Sequence, residues 1–339
     1  MRGCKKLATI HDVAAHAQVS VATVSRVLNG HASVNDEMAA RVKASIAELD
    51  YRPSHLARSM RTQRTSIVAV VVPDVENPFF TSVVRGIEDV ARTTGMLAVL
   101  CNSDDEPEAE LRYLRLVEDQ RVDGVILASS MATAPDLNGG KALPLVLIDR
   151  EVPGIRADVV LVDNEFGARE ATEHLLDSGA RTLACITGPA GVSTAKQRLA
   201  GFMSAAAARG IPRRDTTFRH ADFRLMGARA AVRDILSTSS PDALLVCNNV
   251  MTLGALQELA GQGVRVPEDI LVAGYDDEPW AGSWSPSVTC VAQPAREVGK
   301  AAMRLLVERI EDSTRPIQRI TMQPTLHIRD SSKPVVAAV

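Results

Sequence analysis

The chain has 339 residues, five cysteines and a formal net charge of −3, and 46% of its residues are hydrophobic but only 3% are aromatic. This length is too great for one compact core, so we expect two or three domains. No apolar run reaches the roughly 20 residues of a membrane span, and the basic N-terminus lacks the apolar stretch of a secretory signal, which argues against a membrane protein and predicts a cytoplasmic location.

The scattered cysteines argue against metal binding, and the absence of catalytic motifs argues against catalysis. The five cysteines are scattered and form no spacing typical of a metal site or a disulfide framework. We expect buried structural thiols at Cys101, Cys185 and Cys247, which lie at or near the ends of apolar runs. No G-x-S-x-G, H-E-x-x-H or P-loop pattern is present, so we assign no catalytic residue, metal or cofactor and predict that the protein is not an enzyme.

Charge is distributed unevenly along the chain. Residues 1–64 contain ten Lys and Arg against five Asp and Glu, a net charge of +5, whereas the remainder carries −8. A basic segment joined to an acidic remainder is typical of proteins that bind a polyanion through one end of the chain, because nucleic acid attracts clustered Lys and Arg.

Helical periodicity in the basic segment predicts a helix-turn-helix. Two short apolar runs are spaced as helices, Ile10/Val13/Ala14/Ala17 and Val24/Val27/Leu28. Ser20 lies between them as a plausible N-cap of the second helix. A third helix is predicted over 35–49, with Asn35 as its N-cap and a buried stripe of Met38, Val42, Ile46 and Leu49.

The second helix is expected to enter a DNA major groove. Its face opposite the core carries Val21, Ala22, Ser25, Arg26 and Asn29. Arg26 can donate two hydrogen bonds to a guanine edge, whereas Ser20 and Thr23 are better placed for phosphate. The alternative is a small helical domain that makes no DNA contact.

Several separate motifs resemble the LacI/GalR family of transcription regulators. They are Thr-Ile-His-Asp-Val-Ala from Thr9, Val-Ser-Val-Ala-Thr-Val-Ser-Arg-Val-Leu-Asn from Val19, Tyr51-Arg52-Pro53 and Leu56-Ala57-Arg58-Ser59-Met60. They follow one another in the family's order, and the match continues through nearly all of the chain. The resemblance adds Thr9 to the expected DNA contacts.

The resemblance also implies a hinge helix over 53–60 that orders on DNA, pairs with its dimer mate and enters the minor groove. His55, Ala57 and Met60 are its expected DNA contacts. Met60 stands where the family usually has a leucine wedge, and an apolar side chain of similar size can still insert between base pairs. The alternative is a plain linker.

From Ser66 onward, strand and helix signals alternate. The run Ile67–Val72 reads as a strand buried on both faces, and the repeated βαβ units predict about ten strands in parallel sheets. The resemblance implies an α/β fold with an all-α headpiece (1–52) and a hinge (53–64) before a two-lobed core like that of periplasmic binding proteins. The N-terminal lobe is expected at 65–162 plus 292–324, and the C-terminal lobe at 163–291 plus 325–339.

A small-molecule cleft is expected at the carboxyl ends of these strands. Phe79 and Phe80 follow the first strand and can stack on a sugar-like face, although both could instead be core residues. The resemblance implies four further ligand contacts. Arg198 is expected to bind hydroxyls or a carboxylate, Asp276 to serve as an acidic contact, and Phe223 to stack as a second aromatic. Asn248 is the fourth contact. The alternative for Arg198 is a solvated helix-face arginine.

Three further ligand contacts are weaker. They are Thr194, Asp149 and Trp280, and Trp280 has packing as an equal alternative. Val192 is apolar where a purine-binding relative has an arginine, which disfavours a purine base and favours a sugar, sugar acid or nucleoside-like effector.

We therefore predict a cytoplasmic, homodimeric transcription regulator, a repressor of operator sites, that is controlled by an effector between two lobes. Its partners are double-stranded operator DNA and the small molecule, and no membrane is involved. No C-terminal leucine heptad is present, so we expect no tetramer. Two other hypotheses are a solute-binding protein for transport, which the basic head and missing signal argue against, and an α/β enzyme, for which no catalytic arrangement is found.

Overall fold

The computed structural model describes residues 8–28, 34–51, 64–131 and 143–333. It divides the chain into two compact units, Met1–Thr65 and Ser66–Val339, each of which has its own core. The predicted hinge helix over 53–60 lies outside the described residues. So do four of the predicted DNA contacts, Asn29, His55, Ala57 and Met60.

The first unit contains three short helices around a small apolar core. They are α1 (Ile10–Ala17), α2 (Val21–Leu28) and α3 (Asp36–Glu48). Thr9 and Asp12 form a capping box at the start of α1, and Gln18 ends that helix in the left-handed conformation. The Asn35 side chain accepts a hydrogen bond from the Glu37 amide, so the predicted N-cap of α3 is confirmed.

Two predicted core positions in this unit are wrong. Leu28 is 37% exposed, whereas Val21 packs with Val24 and Val27. The buried face of α2 therefore includes Val21 and excludes Leu28. Met38 is 38% exposed, because the buried face of α3 begins one turn later, at Val42.

The second unit contains two six-stranded sheets. Its strands are β1 (Ile67–Val72), β2 (Leu97–Asn102), β3 (Gly124–Leu127), β4 (Leu145–Ile148), β5 (Asp158–Val162), β6 (Leu183–Thr187), β7 (Thr216–His220), β8 (Ala243–Val246), β9 (Leu271–Tyr275), β10 (Thr289–Ala292), β11 (Arg319–Met322) and β12 (Thr325–His327). The first sheet has the order β11-β5-β4-β3-β1-β2, and the second has the order β12-β10-β9-β8-β6-β7. All neighbouring strands are parallel except the antiparallel pair β10 and β12. We call each sheet with its helices a lobe.

Helices connect and cover these strands. They are α4 (Pro78–Thr94), α5 (Pro107–Asp119), α6 (Asn164–Asp177), α7 (Ser193–Ala208), α8 (Leu225–Thr238), α9 (Asn249–Gly261), α10 (Pro279–Ser283) and α11 (Ala295–Glu311), with short 3₁₀ turns at Arg213–Asp215 and Asp330–Ser332. α11 packs against β3, β4 and β5 of the first lobe although it follows strands of the second. The predicted α/β architecture with two parallel-sheet lobes is confirmed.

The chain passes between the lobes three times. It leaves the first sheet after β5, returns after β10 and crosses again between β11 and β12. We call these three connections, at 163, 293–294 and 323–324, the crossings. They place the carboxyl ends of several strands of both lobes around one cleft.

Buried apolar strands form the centre of each lobe. Val68 to Val72 are completely buried, as expected for a central strand with helices on both faces. α4 and α11 pack closely because each has a glycine at the contact, Gly86 and Gly299, where a Cβ atom would overlap the backbone of the facing helix.

The cysteines partly follow prediction. Cys185 and Cys247 are fully buried, with their sulfurs 3.6 Å apart. Cys101 is only half-buried, because β2 is the edge strand of its sheet, so the buried-thiol prediction is wrong there. Among the described helices, none has both the length and the apolar character that a membrane crossing requires.

Candidate ligand cavity and nucleic-acid interface

A cavity lies in the cleft between the two lobes and is lined by polar and aromatic side chains from both of them. Eight of the nine predicted ligand residues line it: Phe79, Phe80, Asp149, Thr194, Arg198, Phe223, Asn248 and Asp276. The cavity therefore brings together residues that are separated by up to about 200 positions in the sequence. Binding of a ligand by these residues remains a prediction. We call this space the central cavity.

Trp280 is not among the residues that line the central cavity, and a contact with the ligand stays a prediction. It lies in α10 and packs against the apolar core of the second lobe, with its ring 6.0 Å from that of Trp284. The alternative packing role fits this position.

Seven lining residues escaped the sequence prediction. They are Asp74, Asn77, Asp105, Arg150, Asp222, Arg224 and Gln293. Most of them closely follow the carboxyl end of a strand, where open parallel sheets bind ligands. Applying that rule to every strand, rather than to strands with a motif, would have found them.

Arg198 is firmly held at the central cavity. It is 4% exposed, and its Nε donates to Asn164 Oδ1 at 2.8 Å while its Nη1 donates to the Cys247 carbonyl at 2.6 Å. The guanidinium lies 3.9 Å from the centre of the Tyr275 ring, a cation–π geometry. Nη2 has no hydrogen bond among the described residues, so one donor of a preoriented fork remains for a ligand.

Two buried aspartates balance this cation. Asp149 and Asp276 are both less than 10% exposed. Burial raises the pKa of each carboxyl, although Arg150 and Arg198 oppose the rise at Asp149 and Arg198 and Gln293 oppose it at Asp276. A carboxylate in such surroundings accepts hydrogen bonds strongly, because it has lost its hydration.

Backbone geometry fixes several of these groups. Asp149, Phe223 and Asp276 all have positive φ angles of 61° to 66°, a conformation that non-glycine residues rarely adopt. Each such residue costs on the order of 1–3 kcal/mol and persists only where its surroundings impose it. Three such residues line one cavity, which indicates that the direction of their side chains matters more there than an unstrained backbone.

Two buried polar atoms at the cavity make no hydrogen bond within the described structure, Arg150 Nε and Gln293 Oε1, although Arg150 Nε lies 3.5 Å from Asp149 Oδ2 in an ion pair. Arg150 Nη1 donates to Asp105 Oδ1 at 2.6 Å, and the Gln293 amide donates to Asp276, so both side chains are held but incompletely satisfied. An unsatisfied buried donor or acceptor is costly. A ligand that both donates and accepts hydrogen bonds would relieve both.

Contacts across the cleft join the lobes beside the cavity. Asn249 Nδ2 donates to Asn77 Oδ1 at 3.1 Å, and Arg224 Nη1 lies 3.7 Å from Asp74 Oδ2. Asn77 and Asp74 belong to the first lobe, whereas Asn249 and Arg224 belong to the second. The described structure is thus a closed form of the cleft. Within the described ranges, no cluster of three His, Cys, Asp or Glu side chains is suited to a metal.

The first unit places part of the predicted DNA surface on α2. Ala22 and Arg26 are exposed, while Ser25 and Thr23 are half-buried. Ser20 Oγ accepts from the Thr23 amide at 3.1 Å, so its predicted capping role is confirmed. Val21 packs against the core of the unit, and the Thr9 hydroxyl donates to Asp12. Contact of any of these residues with DNA remains a prediction.

Comparison with known proteins covers both units. Residues 9–54 match the model of bacterial regulatory proteins of the lacI family, and residues 172–332 match the periplasmic binding protein-like domain. A ribose operon repressor of Halalkalibacterium halodurans is 37% identical over 96% of this chain and 98% of its own length. The chain belongs to the LacI family. The repressor PurR of Aliivibrio fischeri is a further relative, 36% identical over 96% of this chain and 98% of its own.

Solved structures of LacI-family members agree with this fold. The lac repressor dimer bound to operator matches with a TM-score of 0.85 and 26% identity over 97% of this chain and all of that one. A LacI family regulator from Enterococcus faecium with bound ribose matches with a TM-score of 0.73 and 27% identity, over 79% of this chain and 99% of that one. The prediction of a DNA-binding transcription regulator rather than an enzyme is confirmed.

Proposed function

We propose that this LacI-family chain is a homodimeric repressor that binds operator DNA through residues of its first unit and a pentose, D-ribose, in the central cavity. The single observation that carries the effector is the cavity itself, with buried carboxylates, amides and guanidinium groups beside aromatic rings. A relative that is named as a ribose operon repressor and one solved with ribose support the choice.

The chemistry of the cavity suits a neutral polyol. Sugar hydroxyls donate to Asp149 and Asp276 and accept from Arg198, while the rings of Phe80 and Phe223 cover the apolar C–H faces of the sugar. A hydroxyl can also serve both of the unsatisfied atoms at Arg150 and Gln293, since it donates and accepts.

A purine base fits less well. The repressor PurR of Aliivibrio fischeri is almost as similar to this chain as the ribose operon repressor is, at 36% against 37% identity. However, the Val192 side chain before α7 offers no hydrogen bond to a base. A purine presents its donors and acceptors only around the edge of a flat ring, whereas the hydroxyls of a sugar project in several directions towards the charged and amide groups that line the cavity.

Regulation follows from the closed cleft. A ligand that binds the closed form more tightly than the open form shifts the lobes towards closure, and it can act on DNA only through that difference in affinity. Contacts such as Asn77 with Asn249 are made in the closed form. The predicted hinge at 53–64, with Met60 as a wedge, and a cytoplasmic location beside the chromosome complete the proposal.

The test uses the full chain and titrates D-ribose by calorimetry. We expect binding in the micromolar range or tighter for the wild type and a loss of at least tenfold for Arg198→Gln, because a charge-assisted hydrogen bond contributes about 1.5–3 kcal/mol. Arg169→Gln, on the outer helix α6, is the matched control and should bind normally. Absence of heat with ribose for a folded wild type would contradict the proposed effector.

DNA binding is tested separately by selecting duplexes from a random pool with and without ribose. We expect enrichment of a pseudo-palindrome, with an occupancy that ribose changes. Recovery of random duplexes in both conditions would contradict the regulatory function.

A further inference from the structure

A buried amide side chain, that of Asn249 at the start of α9, joins the two lobes. Asn249 is 2% exposed, and its Nδ2 donates to Asn77 Oδ1 of the first lobe at 3.1 Å. Asn249 is not among the residues that line the central cavity. Any effect of its side chain on a ligand must therefore pass through the residues that it holds. We call the bond between Asn249 and Asn77 the cross-cleft bond.

On the second lobe, Asn249 is bound to the acidic wall of the central cavity. Its backbone amide donates to the carboxyl of Asp276, which lines that cavity. Its Oδ1 accepts from the Val250 amide at 2.7 Å, so Nδ2 is the end of the side chain that faces the first lobe. The Glu278 carboxyl also accepts from this side chain. Both hydrogens of Nδ2 thus have acceptors, and a fully satisfied buried amide is held in one orientation.

On the first lobe, Asn77 connects the cross-cleft bond to the aromatic wall of the cavity. Asn77 is the N-cap of α4, and its Oδ1 accepts from the Phe79 amide at 3.0 Å. Phe79 and Phe80, in the first turn of that helix, both line the central cavity. One oxygen therefore caps the helix that carries the two rings and also accepts the donor from the other lobe.

Other contacts across the cleft are weaker. Arg224 Nη1 lies 3.7 Å from Asp74 Oδ2, and the arginine side chain is 46% exposed, so solvent screens this pair. The Arg150 guanidinium lies 5.9 Å from the centre of the Phe223 ring, at the outer limit of a cation–π contact. The cross-cleft bond joins two buried side chains, and it requires the lobes to meet within a few tenths of an ångström.

We propose that Asn249 is a positioning residue that couples the ligand in the central cavity to closure of the cleft. A continuous series of hydrogen bonds runs from Asp276 through Asn249 and Asn77 to the Phe79 amide. A ligand that binds Asp276 and stacks on the rings joins the same two walls, so ligand and cross-cleft bond favour the same closed form. The ligand in this inference is the sugar of the proposed function, whereas the cross-cleft bond itself needs no ligand.

The direction of the cross-cleft bond provides a matched pair of variants. Asn249→Asp keeps the size of the side chain and the acceptor for Val250, but it loses the donor and places two oxygens opposite each other. Asn77→Asp adds the same charge at the same contact, yet it keeps the acceptor for Asn249 and for the Phe79 amide. An acidic side chain suits the beginning of both helices, α9 and α4, so we expect both variants to fold.

The first measurement is hydrogen–deuterium exchange in the full-length chain without ribose, followed on the lobe opposite to the substitution. We expect Asn249→Asp to accelerate exchange over 74–81 about fivefold, the effect of one lost hydrogen bond, and Asn77→Asp to leave exchange over 248–256 within about twofold of the wild type. Asn249→Ser, whose hydroxyl is too short to reach Asn77, should act like Asn249→Asp without adding charge. Slow exchange in the central strand β1 verifies that each variant is folded.

The second measurement is titration of ribose by calorimetry into the wild type, Asn249→Asp and Asn249→Ser. We expect both variants to bind ribose about fivefold more weakly, because fewer molecules are closed before the ligand arrives. Gln120→Glu is the control, since it makes the same change from amide to carboxylate at an exposed residue that ends α5. Its affinity should equal that of the wild type.

Several outcomes would overturn the proposal. Equal acceleration of exchange by Asn249→Asp and Asn77→Asp would mean that charge in the cleft, and not the lost donor, opens it. Weaker ribose binding without faster exchange over 74–81 would mean that Asn249 acts on Asp276 alone. Faster exchange with unchanged ribose affinity would mean that closure is not coupled to the ligand. If ribose fails to bind the folded wild type, the proposed effector is wrong, and the exchange measurement still decides whether Asn249 holds the cleft closed.

Discussion

Gly188 follows β6, and the ring of Phe223 occupies the space where its Cβ atom would lie. Gly188→Ala must therefore push the ring into the central cavity or out of place. We expect ribose affinity to fall about five- to tenfold, because an aromatic contact contributes about 0.5–1.5 kcal/mol beyond its buried area, and the melting temperature to drop slightly. Calorimetry measures the first effect and thermal unfolding the second.

Gly261→Ala is the control for this prediction. A Cβ atom at Gly261, the last residue of α9, meets nothing within 4 Å. Its ribose affinity and stability should match those of the wild type. Equal affinities for Gly188→Ala and the wild type would mean that Phe223 does not cover the ligand.

The buried aspartates predict that effector binding depends on pH. Burial raises the pKa of Asp149 and of Asp276 above the usual 3.8, so each carboxyl in the empty protein binds its proton at a higher pH than in the unfolded chain. Burial of the charge therefore costs stability at neutral pH, and protonation relieves this cost as the pH falls through the raised pKa.

Stabilisation by ribose should have the opposite dependence, because in the proposed complex the sugar hydroxyls donate to the ionised carboxylates. The rise in melting temperature that ribose causes should be constant near neutral pH and should shrink as the pH falls, beginning at a pH above 3.8. The measurement is the difference between melts with and without ribose, since aspartates with a lowered pKa, such as Asp277 beside Arg329, affect both melts alike. A difference that grows on acidification would contradict ligation by carboxylates.

Several of the cavity residues that sequence reasoning found were found through the resemblance to a family. Arg198 and Asp276 were predicted in this way and line the cavity, but Arg150 and Gln293 were missed. Arg150 directly follows Asp149, which was predicted, and it is buried by contacts with Asp105 from a distant loop. Such contacts depend on how several loops meet, which no single stretch of sequence records.

At the scale of elements, the prediction that the protein reads base sequence in DNA depends on α2. Arg26 is exposed on that helix, opposite the buried Val24. Arg26→Ala should weaken binding to the selected operator by about 1–3 kcal/mol and should relax the preference at one base position, because a bidentate contact to guanine is lost. Competition gel shifts with single-base operator variants measure both effects.

Arg41→Ala tests whether charge alone accounts for such a loss. Arg41 is an exposed cation on α3 in the same unit. If it contacts only phosphate or solvent, its removal should weaken all duplexes by a similar factor and leave base preference intact. If Arg26→Ala discriminates between bases as the wild type does, Arg26 does not contact a base.

Element types were predictable here, whereas the orientation of short helices was not. The strand Ile67–Val72 is apolar throughout and could hardly be anything but a central strand. In α2 the apolar residues Val21, Val24, Val27 and Leu28 cover more than one face, so periodicity allows two orientations. Packing against α1 and α3 selects the one that exposes Leu28.

At the scale of the whole molecule, the edge strand β2 is unusually apolar. Leu97 is 60% exposed, and Val99 and Leu100 are each more than 40% exposed, while β2 pairs with β1 on one side only. An exposed apolar edge invites association. We expect a second copy of this chain to cover it, in keeping with the dimer found for the lac repressor.

Leu97→Asp with Leu100→Asp should therefore convert the dimer to a monomer, with loss of high-affinity operator binding but retention of ribose binding. Light scattering after gel filtration measures the mass. Ile317→Asp, which places a charge at another exposed apolar residue outside β2, should remain dimeric. A dimer that survives the double substitution would mean that the subunits associate elsewhere.

The three crossings restrict what an effector can accomplish. Because the lobes are tied together at three separate points, they cannot slide freely or separate, and a turn about a line through those points is the movement that strains the chain least. Gln293 lies at one crossing, and its amide holds Asp276, so the ligand cavity and the pivot share a side chain. A rotation of roughly ten degrees moves a point one six-residue strand away, about 20 Å, by about 3.5 Å. We therefore expect the lobes to act as lever arms, so that a subångström adjustment around a bound sugar becomes a displacement of a few ångströms at their far ends.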